Sequence, residues 1–533
     1  MIQARTGWRN AERLMFFGLL AVSLVPILVS SHFPSEDGPM HVANAAIYRF
    51  SESPLFQEWY TTSWDPIPNM ATDALMSLML GFLGAELTQK VMAVLLAVGL
   101  PLAFRWCLAA VNRDAVWMAA LVIPVAHGRF LYNGYWNFEM ALVLALVTLG
   151  YWMRFMRTGE RTPMRWAGAV LLFLVTYLSH IVPFLLLLAM TGAVVVDEAM
   201  EDGSKGRRLL TMVRRCGAVL LAAAIPIALY LRFQTGIESS ILYTTGPLRR
   251  LVLFPGYAVV ALGGYEIPPA GLLVVAVVAL TIRSLWRPTR WQQPGFLILT
   301  AALLVGFFVV PDIVGNGSDV AQRFAVFITI LPLLWVAREP FDRRIGIAGL
   351  GVAVVVVLGL AAVRLPAHAV LDEDISEYLS GREVVEEGSA VLPLWMSPIE
   401  EGRGPGGGQR VVEPLVELAG LLMADGDVID LHHLPPAIDI FPFRFRDGLD
   451  IRESASPDPN VYPFLFGPGM VDIEEYVEDG GRVDYIWLWG RNDPDPEALA
   501  SQHARSVLEY IDAHYEVVFV SEPRGMLEVY ARK

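Results

Sequence analysis

Eleven separate apolar segments limit the folds open to this chain more than any other feature of its sequence. A helix needs roughly 17–25 mostly apolar residues to cross a bilayer, and a spanning element must satisfy its backbone hydrogen bonds internally. The sequence therefore predicts a polytopic α-helical membrane protein with about 11 transmembrane helices. These cover residues 14–32, 88–111, 115–131, 136–155, 166–180, 181–197, 216–234, 269–286, 294–312, 323–338 and 344–364.

Basic residues between these segments predict the orientation of the chain. Lys and Arg collect in cytoplasmic loops, and eleven crossings place every basic cluster on one side. The clusters include Arg154/Arg157, Arg207/Arg208 and Arg343/Arg344. The N-terminus is then on the cytoplasmic side of the membrane, and the C-terminal part is on the outer side. Because an additional crossing would reverse the later clusters, we interpret segments 71–84 and 251–264 as non-spanning helices.

Charge divides the chain into two predicted domains. Residues 366–533 carry 12 Lys and Arg against 33 Asp and Glu, a net −21, whereas residues 1–365 carry a net +7. The second part is predicted to be a soluble α/β domain, with strands at 389–394, 484–488, 515–520 and 526–530 and a helix at 497–514. Its acidity argues against a nucleic-acid partner, whose phosphates it would repel.

An acidic motif follows the first apolar segment, at the start of a predicted outer loop, residues 33–87. Glu36, Asp37 and His41 lie where the helix should leave the bilayer. Ionisable groups at a membrane boundary are costly and are functional candidates by default. Other polar residues also collect in the predicted outer loops, including Lys90, Glu139, His180, Arg232, Arg249, Arg250 and Arg323.

These residue types suit transfer of a sugar from a lipid phosphate. ATP and nucleotide sugars are absent outside the cell membrane, so a donor there must be carried in the lipid. A carboxylate must accept the proton of the acceptor, and cations must stabilise the departing phosphate. Asp37 is the predicted base. The predicted ligands of the donor phosphate and lipid are Arg323, Lys90, His180, Arg232, Arg249 and Arg250.

At these residues the chain resembles the GT-C glycosyltransferases, which use polyprenyl-phosphate sugars and include protein O-mannosyltransferases and aminoarabinose transferases. Glu36-Asp37 matches the family's acidic motif in the first outer loop. Segments 133–139, 178–180 and 322–324 are similar to outer-edge motifs of bacterial members. The resemblance implies a bacterial inner-membrane enzyme with a periplasmic C-terminal domain.

The resemblance also implies roles for single residues. Asp37 would be the catalytic base, Glu36 would assist it, and Glu139 would be a second acid. Glu36, Asp37 and His41 would bind a divalent cation, Mg or Mn. Arg323 and His180 would contact the phosphate of a polyprenyl-phosphate sugar in the membrane lipid. The acceptor would be a glycan, a lipid or a protein.

Other interpretations remain open for the sequence. The protein is alternatively a non-catalytic scaffold or sensor with a GT-C-like fold. A lipid or solute transporter is disfavoured, because transporters carry charged groups at mid-membrane and these spans do not. Structural roles are also available: Asp37 as a helix N-cap, His41 as a hydrogen-bond partner, and Arg323 as an interfacial anchor.

Overall fold

A computed structural model describes residues 2–158, 162–201, 204–234, 241–286, 293–314, 317–340, 342–396, 412–438, 440–454, 468–494 and 502–533. Helices dominate the first two thirds of the chain. In order they are α1 Ile2–Ser23, α2 Val25–Val29, α3 Gly38–Phe50, α4 Pro54–Trp59, α5 Ala71–Leu83, α6 Ala85–Val111, α7 Ile123–Ala126, α8 Arg129–Tyr132, α9 Trp136–Thr158, α10 Pro163–Ser179, α11 Ile181–Glu201, α12 Lys205–Ala222, α13 Ala224–Gln234, α14 Pro247–Tyr257, α15 Ile267–Leu285, α16 Gly295–Val309, α17 Val320–Val336, α18 Arg343–Leu379, α19 Ile473–Glu478 and α20 Gln502–His514.

Strands are short and mostly C-terminal. They are β1 Tyr60–Thr62, β2 Ile241–Leu242, β3 Ile313–Val314, β4 Ser389–Trp395, β5 Val428–Asp430, β6 Phe443–Phe445, β7 Tyr485–Trp489, β8 Tyr515–Val520 and β9 Leu527–Arg532. Five of them form one sheet in the order β5-β4-β7-β9-β8. In this sheet β4 runs parallel to β5 and β7, while β9 runs antiparallel to β7 and β8. The C-terminal part thus contains both strands and helices, as the sequence predicted.

In the part of the chain that the structure describes, five helices are long and apolar enough to cross a membrane: α6, α9, α11, the segment Gly264–Leu285 and the segment Arg343–Val384. The pair α12 and α13 makes a sixth if it counts as one span, and it bends by 66°. Pro226 lies in the first turn of α13 and has no N–H to donate, which favours a break there. Five further apolar helices have 10–17 residues. The predicted count of 11 spans is therefore not confirmed.

The segment predicted to span at 115–131 differs most from expectation. It consists of a 3-10 helix, Val116–Val122, followed by the short helices α7 and α8. Pro124 is the second residue of α7, and Gly128 adopts an extended conformation before α8. Because proline removes a backbone donor, an apolar run of the right length does not form one continuous helix here.

Two hydrophobic cores organise the molecule. The first lies among the apolar helices and includes Phe104, Leu146 and Trp335. The second joins the first outer loop to the C-terminal sheet, since Trp59 and Trp487 belong to the same buried cluster. Strands β1 and β6 also pair across this junction. Helix α18 runs without interruption through the predicted domain boundary at residues 365 and 366, so the two parts are continuous in both backbone and packing.

Candidate functional site

Main-chain pairing fixes the position of the acidic motif. The N–H of Glu36 donates to the carbonyl of Tyr132 at 2.9 Å, and the N–H of Asp37 donates to that of Asn133 at 3.0 Å. Gly134, the next residue, has φ +79° and packs against the backbone of Asp37 and Gly38. A Cβ at Gly134 would lie 2.5 Å from the nitrogen of Gly38 and 2.7 Å from that of Asp37. Only glycine allows this approach without moving the backbone.

The carboxyl group of Asp37 is not used as a helix cap. Asp37 is the N-cap residue of α3, but its side chain makes no capping hydrogen bond. Both Glu36 and Asp37 keep partial solvent exposure, although protein surrounds most of each side chain. The two carboxyl groups are therefore partly open to solvent, and we refer to their surroundings as the acidic crevice. The capping role that the sequence left open for Asp37 does not occupy its oxygens.

Burial raises the pKa values of both carboxyl groups toward neutral pH. It raises the pKa of Asp37 to about 7, while the charges of His41 and Arg323 lower it and that of Asp319 raises it. Burial also raises the pKa of Glu36 to about 8, and repulsion from Asp37 adds to the increase. Because the two groups interact, they titrate as a pair. A carboxyl group that titrates near the working pH is suited to general-base catalysis.

Arg323 supplies positive charge beside Asp37. It lies in the first turn of α17, and its guanidinium contacts Nε2 of His180. The guanidinium carbon is 5.1 Å from the ring centre of Tyr135 and 5.3 Å from that of Phe138. These rings hold the guanidinium group through cation–π contacts. The structure thus brings together three of the predicted site residues: Asp37, Arg323 and His180.

Asp319 and Arg129 complete this cluster and were not predicted as site residues. The hydroxyl group of Tyr135 donates to Oδ2 of Asp319 at 2.9 Å, and Nη2 of Arg129 is 3.7 Å from the same oxygen. Asp319 has φ +55°, a conformation rare outside glycine. Its position immediately before α17 is visible in the sequence, but its strained backbone and its proximity to Asp37 are not.

The C-terminal part contributes two further acids. The N–H of Glu413 donates to Oε2 of Glu36 at 3.3 Å. Glu417 is buried, interacts electrostatically with Asp37 and Glu36, and burial raises its pKa well above its ordinary value. Its Oε2 has no hydrogen-bond partner within the described ranges and is 3.9 Å from Nδ1 of His432. No sequence pattern identifies Glu417 as a site residue, because it is distant from the acidic motif in sequence and approaches it only in the folded protein.

Gly420 allows this C-terminal segment to approach the acidic motif. The 3-10 helix Leu418–Asp425 packs against α3. A Cβ at Gly420 would lie 2.8 Å from the carbonyl oxygen of Pro39. The close contact keeps Glu417 beside the crevice.

His41 has a structural role. Its Nδ1 bonds Oδ1 of Asp73 at 2.6 Å, its Nε2 bonds the carbonyl of Gly134 at 2.9 Å, and its ring stacks on that of Trp136. Both ring nitrogens are therefore occupied. Among the residues described, no group of three or more His, Cys, Asp and Glu side chains is arranged to hold a metal ion. The predicted cation site of Glu36, Asp37 and His41 thus does not fit this geometry, because His41 faces Asp73 instead.

Four predicted phosphate ligands lie elsewhere. Lys90 donates to the carbonyls of Leu28 and Ser30 at the end of α2. Arg232 pairs with Asp65 at 3.0 Å on the surface. Arg250 is buried against Asp312 at 3.0 Å, and Arg249 is exposed on α14. The prediction grouped these basic residues by membrane side, and that grouping carried no information about their partners.

Glu139 also lies apart from the acidic pair. It is buried on α9, and its backbone N–H donates to the carbonyl of Tyr135. Its Oε2 has no hydrogen-bond partner in the described part of the chain. Within the described ranges no contact joins Glu139 to Asp37 or Arg323, so its role as a second acid stays a prediction.

Comparison with solved structures finds membrane glycosyltransferases. The arabinofuranosyltransferase AftD from Mycobacteria matches 98% of this chain at 15% identity and a TM-score of 0.49, and this chain spans 40% of its length. The archaeal oligosaccharyltransferase AglB from Archaeoglobus fulgidus, solved with an inhibitory peptide and a dolichol-phosphate, matches 98% at 11% identity and a TM-score of 0.47, with 74% of its length covered. No family model and no curated protein matches the chain.

Proposed function

We propose that this protein is a membrane glycosyltransferase that moves a sugar from a polyprenyl-phosphate donor to an acceptor at the outer face of the membrane. The proposal rests on one observation: the partly exposed carboxyl group of Asp37, whose pKa burial raises to about 7, interacts electrostatically with the guanidinium group of Arg323 at one end of an apolar helical bundle. This proximity of a candidate base and a candidate phosphate-binding cation supports the proposal.

The orientation of α9 supports an outward-facing site. The acidic motif pairs with residues 132–134, directly before the N-terminal end of this helix. Arg154 and Arg157 lie at its C-terminal end. Because basic residues favour the cytoplasmic side, the opposite end with Asp37 faces outward. The C-terminal sheet shares its core with the outer loop and is placed on that same side, which in a bacterial inner membrane is the periplasm.

The proposed reaction is a direct displacement at the anomeric carbon of the donor. The acceptor hydroxyl oxygen forms a bond to that carbon, and its proton passes to the carboxylate of Asp37. The bond between the anomeric carbon and the phosphate oxygen breaks, and its electron pair stays on the lipid phosphate. Arg323 and His180 stabilise this developing charge. Glu36, with its higher pKa, keeps a proton and limits repulsion within the pair.

Transfer of radiolabelled sugar in proteoliposomes tests the proposal. The wild type is compared with Asp37→Asn and with Asp447→Asn, the same substitution at an exposed site distant in sequence from the motif. We expect transfer in the wild type and Asp447→Asn, and its loss in Asp37→Asn. Equal transfer in all three would remove Asp37 from the mechanism. No transfer from any polyprenyl-phosphate sugar would favour the alternative, a non-catalytic scaffold with this fold.

A further inference from the structure

A cavity of about 460 Å³ lies at the junction of the outer loop and the C-terminal part. Its walls are residues 61–63, 65 and 67 in and after strand β1, residues 441–444 around strand β6, and Phe233 at the end of α13. This volume is within the range of sites that bind small organic ligands. None of its lining residues belongs to the acidic crevice around Asp37.

The chemistry of the cavity suits a neutral, hydroxyl-rich ligand. Thr61, Thr62 and Ser63 present hydroxyl groups, and all three residues are exposed. The hydroxyl group of Thr61 donates to the carbonyl of Arg444 at 3.5 Å, and that of Ser63 accepts from the N–H of Asp65 at 3.2 Å. Thr62 lies exposed between them. Phe441 and Phe443 stack with ring centres 5.8 Å apart and form an apolar wall. Hydroxyl groups beside aromatic rings match the polar edges and apolar faces of sugar rings.

The two nearby cations are already engaged. Nη1 of Arg444 donates to the carbonyls of Phe441 at 2.6 Å and Phe443 at 2.7 Å. Arg232 pairs with Asp65 at 3.0 Å. Phosphate binding requires several donors directed at the anion. The guanidinium groups here point to protein acceptors, which favours an uncharged saccharide over a lipid phosphate.

The cavity is connected to the crevice through helix α3. The ring of Phe443 contacts that of Tyr48 in an edge-to-face arrangement with centres 5.8 Å apart. Tyr48 belongs to α3, which begins directly after Asp37, and a helical rise of 1.5 Å per residue separates these two residues by about 16.5 Å along the helix axis. A short oligosaccharide can span that distance.

We propose that this cavity binds a neutral oligosaccharide, the acceptor, and presents its terminal hydroxyl group to Asp37. The assignment rests on the glycosyl transfer proposed above. It adds the chemical class of the acceptor. It also assigns acceptor binding to Phe233, Thr62 and the Phe441–Phe443 wall. These residues are distant from the acidic crevice, so substitutions there should change acceptor binding without changing the reacting groups.

Direct binding to the full-length protein in lipid nanodiscs tests the assignment. Saturation-transfer NMR is recorded with methyl glycosides of neutral trisaccharides of mannose, arabinose, galactose and glucose. The variants are Phe233→Ala and Thr62→Val, and Phe82→Ala is the control, an exposed phenylalanine on α5 outside the cavity. We expect one trisaccharide to bind, with affinity about three- to tenfold weaker in the two cavity variants and unchanged in the control.

The outcomes separate this assignment from the proposed function. Absence of binding by every trisaccharide, or equal affinity in all variants, would overturn the cavity assignment even if the wild type transfers sugar. Asp37→Asn should bind the trisaccharide as the wild type does while losing transfer. If the wild type binds through Phe233 and Thr62 but never transfers sugar, the saccharide site stands and the proposed function falls.

Discussion

Gly134→Ala should disable the site by moving Asp37. A Cβ at this position would lie 2.5 Å from the nitrogen of Gly38, whereas ordinary contact begins at 3.4 Å, so the acidic motif has to move by about 0.9 Å. A displacement near 1 Å can lower an enzymatic rate by about 10²-fold. The positive φ of +79° adds about 1–2 kcal/mol of backbone strain. The close approach adds roughly 1–3 kcal/mol, as overpacking does in a core.

Gly448→Ala is the matched control for this substitution. Gly448 has φ +76°, and no atom lies within 4 Å of a Cβ built there. It therefore carries the backbone strain without the contact. Thermal unfolding and sugar transfer are measured for both variants in the same detergent. We expect Gly134→Ala to unfold at the lower temperature and to lose about 10²-fold in kcat. Equal unfolding temperatures and equal rates would refute the idea that Gly134 positions the motif.

Four further predictions concern the charged groups around Asp37. The rate of transfer should rise with pH through a midpoint near 7, because Asp37 must lose its proton to act as a base. Asp319→Asn should lower that midpoint, since it removes a negative charge that opposes ionisation; an unchanged pH profile would contradict the assignment. His41→Ala should destabilise the fold by about 3–5 kcal/mol, measured by chemical unfolding, because it leaves the carboxylate of Asp73 buried without its partner. Arg323→Lys should lower kcat by about 10²–10³-fold with little change in unfolding temperature, because lysine cannot reproduce the guanidinium contacts beside the phosphate.

Local patterns predicted many elements correctly. The strand predicted at 484–488 corresponds to the central strand β7, Tyr485–Trp489, and the strand predicted at 515–520 is β8. The short apolar segment at 71–84 forms helix α5, which packs against α3. These predictions succeeded because alternation, apolar runs and helical periodicity are properties of a few neighbouring residues.

Features set by distant contacts were missed. The apolar segment at 115–131 has the length of a span, but Pro124 and the packing around it divide it into short helices. The basic residue Arg250 was assigned to phosphate, whereas it is buried against Asp312. Glu417 joins Asp37 only because Gly420 permits a tight contact with Pro39. Orientation rules group residues by membrane side, and tertiary packing decides which of them meet.

The most direct test of the central claim is single-turnover transfer by Asp37→Asn, measured with donor binding in the same proteoliposomes. If Asp37 is the general base and Arg323 holds the phosphate, the variant binds the polyprenyl-phosphate sugar with wild-type affinity and transfers it about 10²–10⁴-fold more slowly. Transfer at the wild-type rate, or a loss that is entirely a loss of donor binding, would contradict this account of the site.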